Sequence, residues 1–447
     1  MSELASELVL CVDVGSTFTK AALVDVDAGV LVATAASPTT SGTDVMDGID
    51  ACRVELGMSP DVETLACSSA GGGLRLAVVG YERVVTAEAG HRVGLSAGAR
   101  VSYVASGLLD VGGMRQLLDN QPDVVLLVGG TDGGNAEVLL HNAAALAGSE
   151  LRVPVVAAGN VEARDEVEAL LRDGGKTVYP TANVLPVIGR LDPQPARETI
   201  REVFIRHVIG GKGLSASADF PALVRAATPD AVLAGVEVLA DGAAGIEGVG
   251  DVLVVDVGGA TTDVYSVVTP QGEDAVLRRE VVEVMWRART VEGDLGMRWN
   301  APGVVEAAVA ERLVTPDELT GLQAAAARRA AAPSYLAESE AERSIDTRLA
   351  ELAVTVALRR HGRGGKDLRA VALVVGSGGV LRHSDEATRK QILAPALGDF
   401  AGGWPVPENA RTVVDASYVL AAAGLLARDH PEAAARLLQS ALLSGQT

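Results

Sequence analysis

Val252-Leu-Val-Val-Asp-Val-Gly-Gly-Ala-Thr-Thr-Asp263 is the stretch whose reading decides the fold. An apolar strand runs into a carboxylate, two glycines and paired hydroxyls, and a second strand follows. A carboxylate at the end of a buried strand can hold Mg²⁺ through waters. Gly258 and Gly259 let the backbone come close to a phosphate. Thr261 and Thr262 offer hydroxyls and amides that can surround phosphate oxygens. The same chemistry stands far upstream in Leu8-Val-Leu-Cys-Val-Asp-Val-Gly-Ser-Thr-Phe-Thr-Lys20. There Asp13 ends the strand, Gly15, Ser16 and Thr17 make the turn, and Lys20 adds a point charge. Either loop alone reads equally as an ordinary hairpin turn. The repetition carries the weight, because two such hairpins facing each other across a cleft can clamp a polyphosphate and its metal from both sides.

Outward from these loops, each opens a β-meander rather than a strand–helix unit. Leu8–Val14, Lys20–Asp25 and Gly29–Ala35 are the first set of strands, and the signature returns at Val252–Val268. A helix is expected over Asp44–Leu56, and Ala66–Gly73 reads as a short strand running into a glycine loop. From about Val84 to Pro180 strands and helices alternate, as in a parallel α/β unit of its own. Its strand Val124–Val128 ends in Gly129-Gly-Thr-Asp-Gly-Gly-Asn135, either a partner-contacting loop or a plain strand-to-helix turn with Asn135 near the cap. Helices are expected over Ala196–Val208 and Pro229–Asp241, and a mostly helical region over Pro302–His361. The resulting division is 1–83 for the first part of an N-terminal half and 84–190 for an inserted α/β lobe. Residues 191–250 form the helical remainder of the N-terminal half with the connecting helix, and 251–447 a C-terminal half with a helical subdomain at 302–361.

Composition sets the class. The chain has 447 residues, two to four domains at roughly 100–200 residues each. Its hydrophobic content of 48% is enough for a large core, while aromatics at 3% leave the packing to Ala, Val and Leu. A net charge of −20 repels phosphate backbones, so nucleic-acid binding is not expected. Cys11, Cys52 and Cys67 form no metal-ligand spacing. They suit a reducing cytoplasm. No run of 18 or more apolar residues appears, so no membrane span is expected. The six histidines are dispersed and read as structural or surface groups.

A third glycine loop, Val374-Val-Gly-Ser-Gly-Gly379, follows another apolar strand. Glycine there removes side chains from where a flat base or ribose could lie. In this order the three loops resemble the motif pattern of the actin-like ATPase superfamily, shared by sugar kinases, actin and heat-shock chaperones. The resemblance implies an α/β fold of duplicated, ribonuclease H-like domains around a nucleotide cleft. It implies ATP and Mg²⁺ as cofactors, with Asp13 and Asp256 as catalytic residues organising the metal and water. Gly376, Ser377, Gly378 and Gly379 would border the nucleoside. Pro229–Asp241 and Ala416–Gly424 look like the two connecting helices, whose close packing needs small residues.

The resemblance extends further. Ala66–Arg75, Val128–Asn135, Asp256–Ser266 and Arg289–Arg298 look like segments of the glutamate mutase accessory family, over about Val9 to Leu426. This implies a chaperone-like reactivating ATPase whose partners are the subunits of a cobalamin-dependent mutase. No Asp-x-His-x-x-Gly pattern occurs, which argues against a cobalamin-binding subunit. Glu292-Gly-Asp-Leu-Gly296 can close over a ribose or simply turn into the next helix. A small-molecule kinase on the same fold is the alternative, with Asp263 or Asp132 as base. Three scattered cysteines argue against an iron–sulfur dehydratase activator, and a non-catalytic scaffold is a further option.

Overall fold

The computed structural model describes residues 7–70, 74–81, 89–91, 93–94, 97, 99–211, 213–217, 219–269, 287–363, 367–400 and 403–444. The expected lobe boundary near Val84 and Gly71–Gly73 of the expected glycine loop lie outside them.

Strands β1 (Leu8–Val14), β2 (Phe18–Asp25) and β3 (Val30–Pro38) form the antiparallel meander. Helix α1 (Val45–Glu55), capped by Asp44, leads to β4 (Glu63–Ser68), which lies parallel to β1. Five parallel strands follow: β5 (Arg75–Gly80), β6 (Arg100–Ser106), β7 (Val124–Leu127), β8 (Val155–Ala157) and β9 (Val178–Pro180). They make a separate sheet of order β6-β5-β7-β8-β9, with helices α2 (Val111–Asp119), α3 (Glu137–Ala147) and α4 (Arg164–Asp173) in its connections. This is a doubly wound order, and its first strand begins at Arg75, inside residues 1–83. The loop 129–135 is tied down from within. Asp132 accepts from the amide of Val161 and the side chain of Asn183, and Asn135 accepts from the amide of Glu137.

Helix α5 (Gln194–Val203) returns the chain to the first sheet, where β10 (Val224–Ala227) pairs with β4. Helix α6 (Thr228–Asp241) then crosses to the second half. There β11 (Val252–Val257), β12 (Thr262–Val267) and β13 (Arg287–Glu292) repeat the meander. Helices α7 (Ala301–Ala310), α8 (Pro316–Ala331) and α9 (Glu340–Gly362) form the helical subdomain. After it come β14 (Leu373–Ser377), α10 (Gly379–Arg382), β15 (Arg411–Val414) and α11 (Val419–Leu426).

The two large sheets share one plan. Their orders are β3-β2-β1-β4-β10 and β13-β12-β11-β14-β15, each an antiparallel meander extended by two parallel strands. This is the duplicated actin-like arrangement. Alternation along the strands divides the cores. Leu10, Val12 and Val14 face the core beside α1, whereas Val9 and Cys11 face one shared with the second half. Val252 and Val254 point into that shared core, while Leu253, Val255 and Val257 point to the helical subdomain. Helices α6 and α11 lie in the shared core. All three cysteines are buried and free. Among the described residues no helix is long and apolar enough to cross a membrane.

The helix crossing admits no side chain. A Cβ on Gly235 would lie 2.0 Å from the carbonyl oxygen of Leu420, and one on Gly424 1.8 Å from that of Ala231. Gly424→Ala therefore forces backbone apart and lowers stability by about 2–4 kcal/mol in denaturant titration. Gly321→Ala, on exposed α8 where nothing lies within 4 Å, raises it by about 0.5–1 kcal/mol. Equal responses of the two variants would show that the crossing is not limiting.

Candidate functional site

The two glycine hairpins are the same turn built twice. The amide of Gly15 donates to the carbonyl of Phe18 at 3.1 Å, and that of Gly258 to Thr261 at 2.9 Å. A Cβ would meet the Phe18 oxygen at 2.7 Å in the first turn and the Thr261 oxygen at 2.8 Å in the second, so both turns require glycine. Register then assigns equivalent positions. Asp13 pairs with Lys20 as Asp256 pairs with Asp263, and Val14 with Thr19 as Val257 with Thr262. Ser16 and Thr17 stand exposed at the first tip, next to an exposed aromatic, Phe18.

Lys20 joins the halves electrostatically. Its ammonium lies 3.6 Å from Asp13. Burial pulls its pKa down, but Asp13, Tyr418 and Asp256 outweigh that and leave it raised. Asp13 also accepts the hydroxyl of Thr228, the first residue of α6, at 2.6 Å. Burial pushes the Asp256 carboxyl up to about 6, with Asp263 and Asp13 adding to the rise and Lys20 and Ser377 opposing it. Asp263 is likewise raised by burial against the pull of Arg289, which bonds it at 3.2 Å. Asp415 accepts the amides of Val419 and Leu420 at the start of α11, and lies in the field of Lys20 and Arg382.

The remaining predicted positions sort by what they touch. Ser377 pairs with Asp256 in the ladder, and its hydroxyl opposes the rise of that carboxyl's pKa. Gly376 packs on Leu381 and Leu393. Gly378, at φ 104°, presses on the carbonyl of Val257, where a Cβ would lie 2.2 Å away. It thereby seats the third loop on the second hairpin. Gly379 faces open space, and a Cβ on Gly259 would meet only the Arg298 side chain, at 3.9 Å, while the Gly259 carbonyl accepts the amides of Arg298 and Trp299. The Thr262 hydroxyl is buried and donates to Leu295 at 2.6 Å, shaping the loop from inside. The 292–296 segment packs on the second hairpin, with Asn300 bridging the carbonyls of Ala260 and Gly293. Arg360 clamps Glu292 and Asp294. Arg100 of the inserted lobe reaches Gly293, at 3.9 Å from an ideal Cβ there. Sequence reasoning missed Thr228, Arg289, Arg382, Asp415 and Tyr418 as site residues. Asp415 carried a signal, a carboxylate four residues before an apolar helix; the others become visible only through the fold.

These residues fit a metal–polyphosphate. The Lys20 ammonium pairs with Asp13 and feels the charge of Asp256, Ser16 and Thr17 stand exposed at one tip, and Gly259 and Gly379 leave room for a ligand where a Cβ would lie.

The Asp256 shift has a stability consequence with a definite sign. Its folded pKa of about 6 lies above the ordinary carboxylate value of 3.8. As pH rises through that window the unfolded chain releases the proton first, so ionising Asp256 costs the folded state stability. Asp256→Asn removes that cost. It is more stable than wild type above pH 6 by about 1–2 kcal/mol, and the gap closes toward pH 4. Thermal unfolding across this pH range checks it, and a variant less stable than wild type at pH 7 contradicts it.

Comparison with known proteins follows the same residues. The family model described as "MutL protein" matches residues 9–442. A curated relative, "Protein MutL" of Clostridium tetanomorphum, is 36% identical over 458 residues, covering 97% of this chain and 99% of the relative. Among solved structures, nucleotide-free acetone carboxylase is similar at 16% identity and TM-score 0.39, with 94% of this chain and 70% of that one covered. A glycerol dehydratase reactivase is similar at 12% identity and TM-score 0.34, with 94% and 99% covered. Xylulose kinase from Bifidobacterium adolescentis stands at 13% identity and TM-score 0.35, with 96% and 93% covered. On the family match and the curated relative, the chain belongs to the MutL protein family, the glutamate mutase accessory proteins whose motifs its loops resemble.

Proposed function

We propose that this chain is an ATP-binding, ATP-hydrolysing accessory protein of the cytoplasm that reactivates or maintains a cobalamin-dependent mutase such as glutamate mutase. One observation carries the nucleotide part. Asp13 and Asp256, ending equivalent strands in the two halves, act on a single ammonium, Lys20. Family membership supports the mutase as partner.

In this reading Asp13 and Asp256 hold Mg²⁺ through water, and the ion neutralises charge on phosphate oxygens. Ser16, Thr17 and the backbone of Gly15, Gly258, Gly259, Thr261 and Thr262 surround the phosphates. Lys20 adds its charge. The loop Gly376–Gly379 borders the nucleoside, with Gly379 as its open position. Asp256, raised by burial, orients a water or takes its proton near neutral pH. Nucleotide that contacts both hairpins favours the closed arrangement of the halves, a population shift set by differential affinity. The inserted lobe carries that movement to the mutase.

The test mixes inactivated mutase, fresh coenzyme, ATP and this protein, and follows mutase activity beside ATP turnover. Calorimetry with ATP and Mg²⁺ first establishes binding. Asp256→Ala lowers turnover roughly a hundredfold or more, and mutase recovery falls with it. If that variant abolishes turnover yet restores the mutase as well as wild type does, ATP-driven reactivation is wrong.

A further inference from the structure

Tyr418 is the residue in the site whose conformation most needs a reason. It sits at φ 55°, ψ 37°, a left-handed backbone that is rare for a bulky side chain. Asp415 holds it there by taking the amides of Val419 and Leu420, the next two residues. The result is a ring carrying two cations from different halves of the molecule. The Lys20 ammonium, on β2, lies 4.0 Å from its centroid, and the Arg382 guanidinium, at the end of α10, 4.7 Å. Asp13, Lys20, Arg382, Ser417 and Tyr418 line one recess.

Arg382 is available for another partner. Among the described residues it makes no salt bridge. Its field reaches Asp415, but that carboxylate is committed to the backbone of α11. A guanidinium with its fork free, sharing a ring with the lysine of a phosphate hairpin, suits bidentate contact with phosphate oxygens. Such charge-assisted bonds exceed a cation–π contact, so phosphate wins the exchange while the ring still opposes it.

We propose that the ring of Tyr418 and the phosphates of a nucleotide compete for the same two cations, Lys20 and Arg382. Arg382 is then a phosphate-binding residue supplied by the second half, and Tyr418 sets how tightly the site holds phosphate. The inference rests on the nucleotide reading above.

Calorimetric titration of the full chain with Mg²⁺–ATP and with tripolyphosphate tests it. Arg382→Gln weakens both ligands about tenfold, since the lost contact is to phosphate. Tyr418→Asn removes the ring while keeping a side chain that tolerates the left-handed backbone. It tightens both ligands about three- to tenfold. Tyr418→Phe restores the π face and returns the affinity to the wild-type value. A wild-type chain that binds neither ligand overturns both this proposal and the nucleotide reading. Wild-type binding with Arg382→Gln within twofold overturns the competition alone. So does weaker binding by Tyr418→Asn, because the ring is then a platform for the ligand rather than its competitor.

Discussion

The position of every group in the site depends on how closely two helices cross. At Gly235 and Gly424 the backbones of α6 and α11 touch, and no side chain fits between them. That contact lets both helices lie in a single apolar core with strands of both sheets. It also fixes where the helices begin. α6 starts with Thr228, bonded to Asp13, and α11 starts where Asp415 takes its first free amides. The positive ends of two helix dipoles are thereby brought to a site rich in carboxylates. A looser crossing would separate the hairpins and uncover those carboxylates together.

The duplication is structural but not electrostatic. At the equivalent ladder position one hairpin carries Lys20 and the other Asp263. Two lysines there would repel, and two aspartates would leave Asp13 and Asp256 facing further negative charge. With one of each, Lys20 pairs with Asp13 and feels the charge of Asp256, and Arg289 answers Asp263 from the neighbouring strand. The balance still leaves Asp256 pushed up to about 6. A site in that condition favours an added cation. The acidic pair and the single ammonium therefore form one device, and neither half of the chain contains it alone.

Much of this was legible because strand patterning and glycine chemistry are local. Leu8–Val12 is a continuous apolar run leading into Asp13 and Val14, and the structure makes Leu8–Val14 a strand with the expected bounds. The connecting helices were legible from their small residues, which the crossing uses directly. The short strands Val224–Ala227 and Arg411–Val414 were not legible. Four residues give too little alternation to separate a strand from a loop, and these two exist because a neighbouring strand offers an unpaired edge. The glycines of the third loop were legible as a loop but not as individuals. Gly376 and Gly378 serve packing, and only Gly379 faces open space. Tyr418 and Arg382 are 36 positions apart in the chain and meet only after β14, β15 and α11 are assembled. No spacing rule reaches such a pair.

The same helix that seats Asp13 also carries the charges that join α5 to the second half. Asp230, in the first turn of α6, is almost fully buried and held by Arg197 and Arg201 of α5, the helix that leads out of the lobe. Farther along α6, Glu237 takes Arg197 on one side and Arg287 of β13 on the other, and Asp241 takes Arg287 again. Removing one member of a buried pair leaves a charge that water cannot reach, commonly at a cost of about 3–5 kcal/mol. Displacing α5 from α6 uncovers Asp230 in the same way. Helix α5, the connecting helix and the edge of the second sheet are thus held in one register by charge. At the first residue of that helix the Thr228 hydroxyl bonds Asp13 at the end of β1. Displacing α6 at that residue strains the pairs to Arg197, Arg201 and Arg287 as well, because Asp230, Glu237 and Asp241 all sit on the same helix.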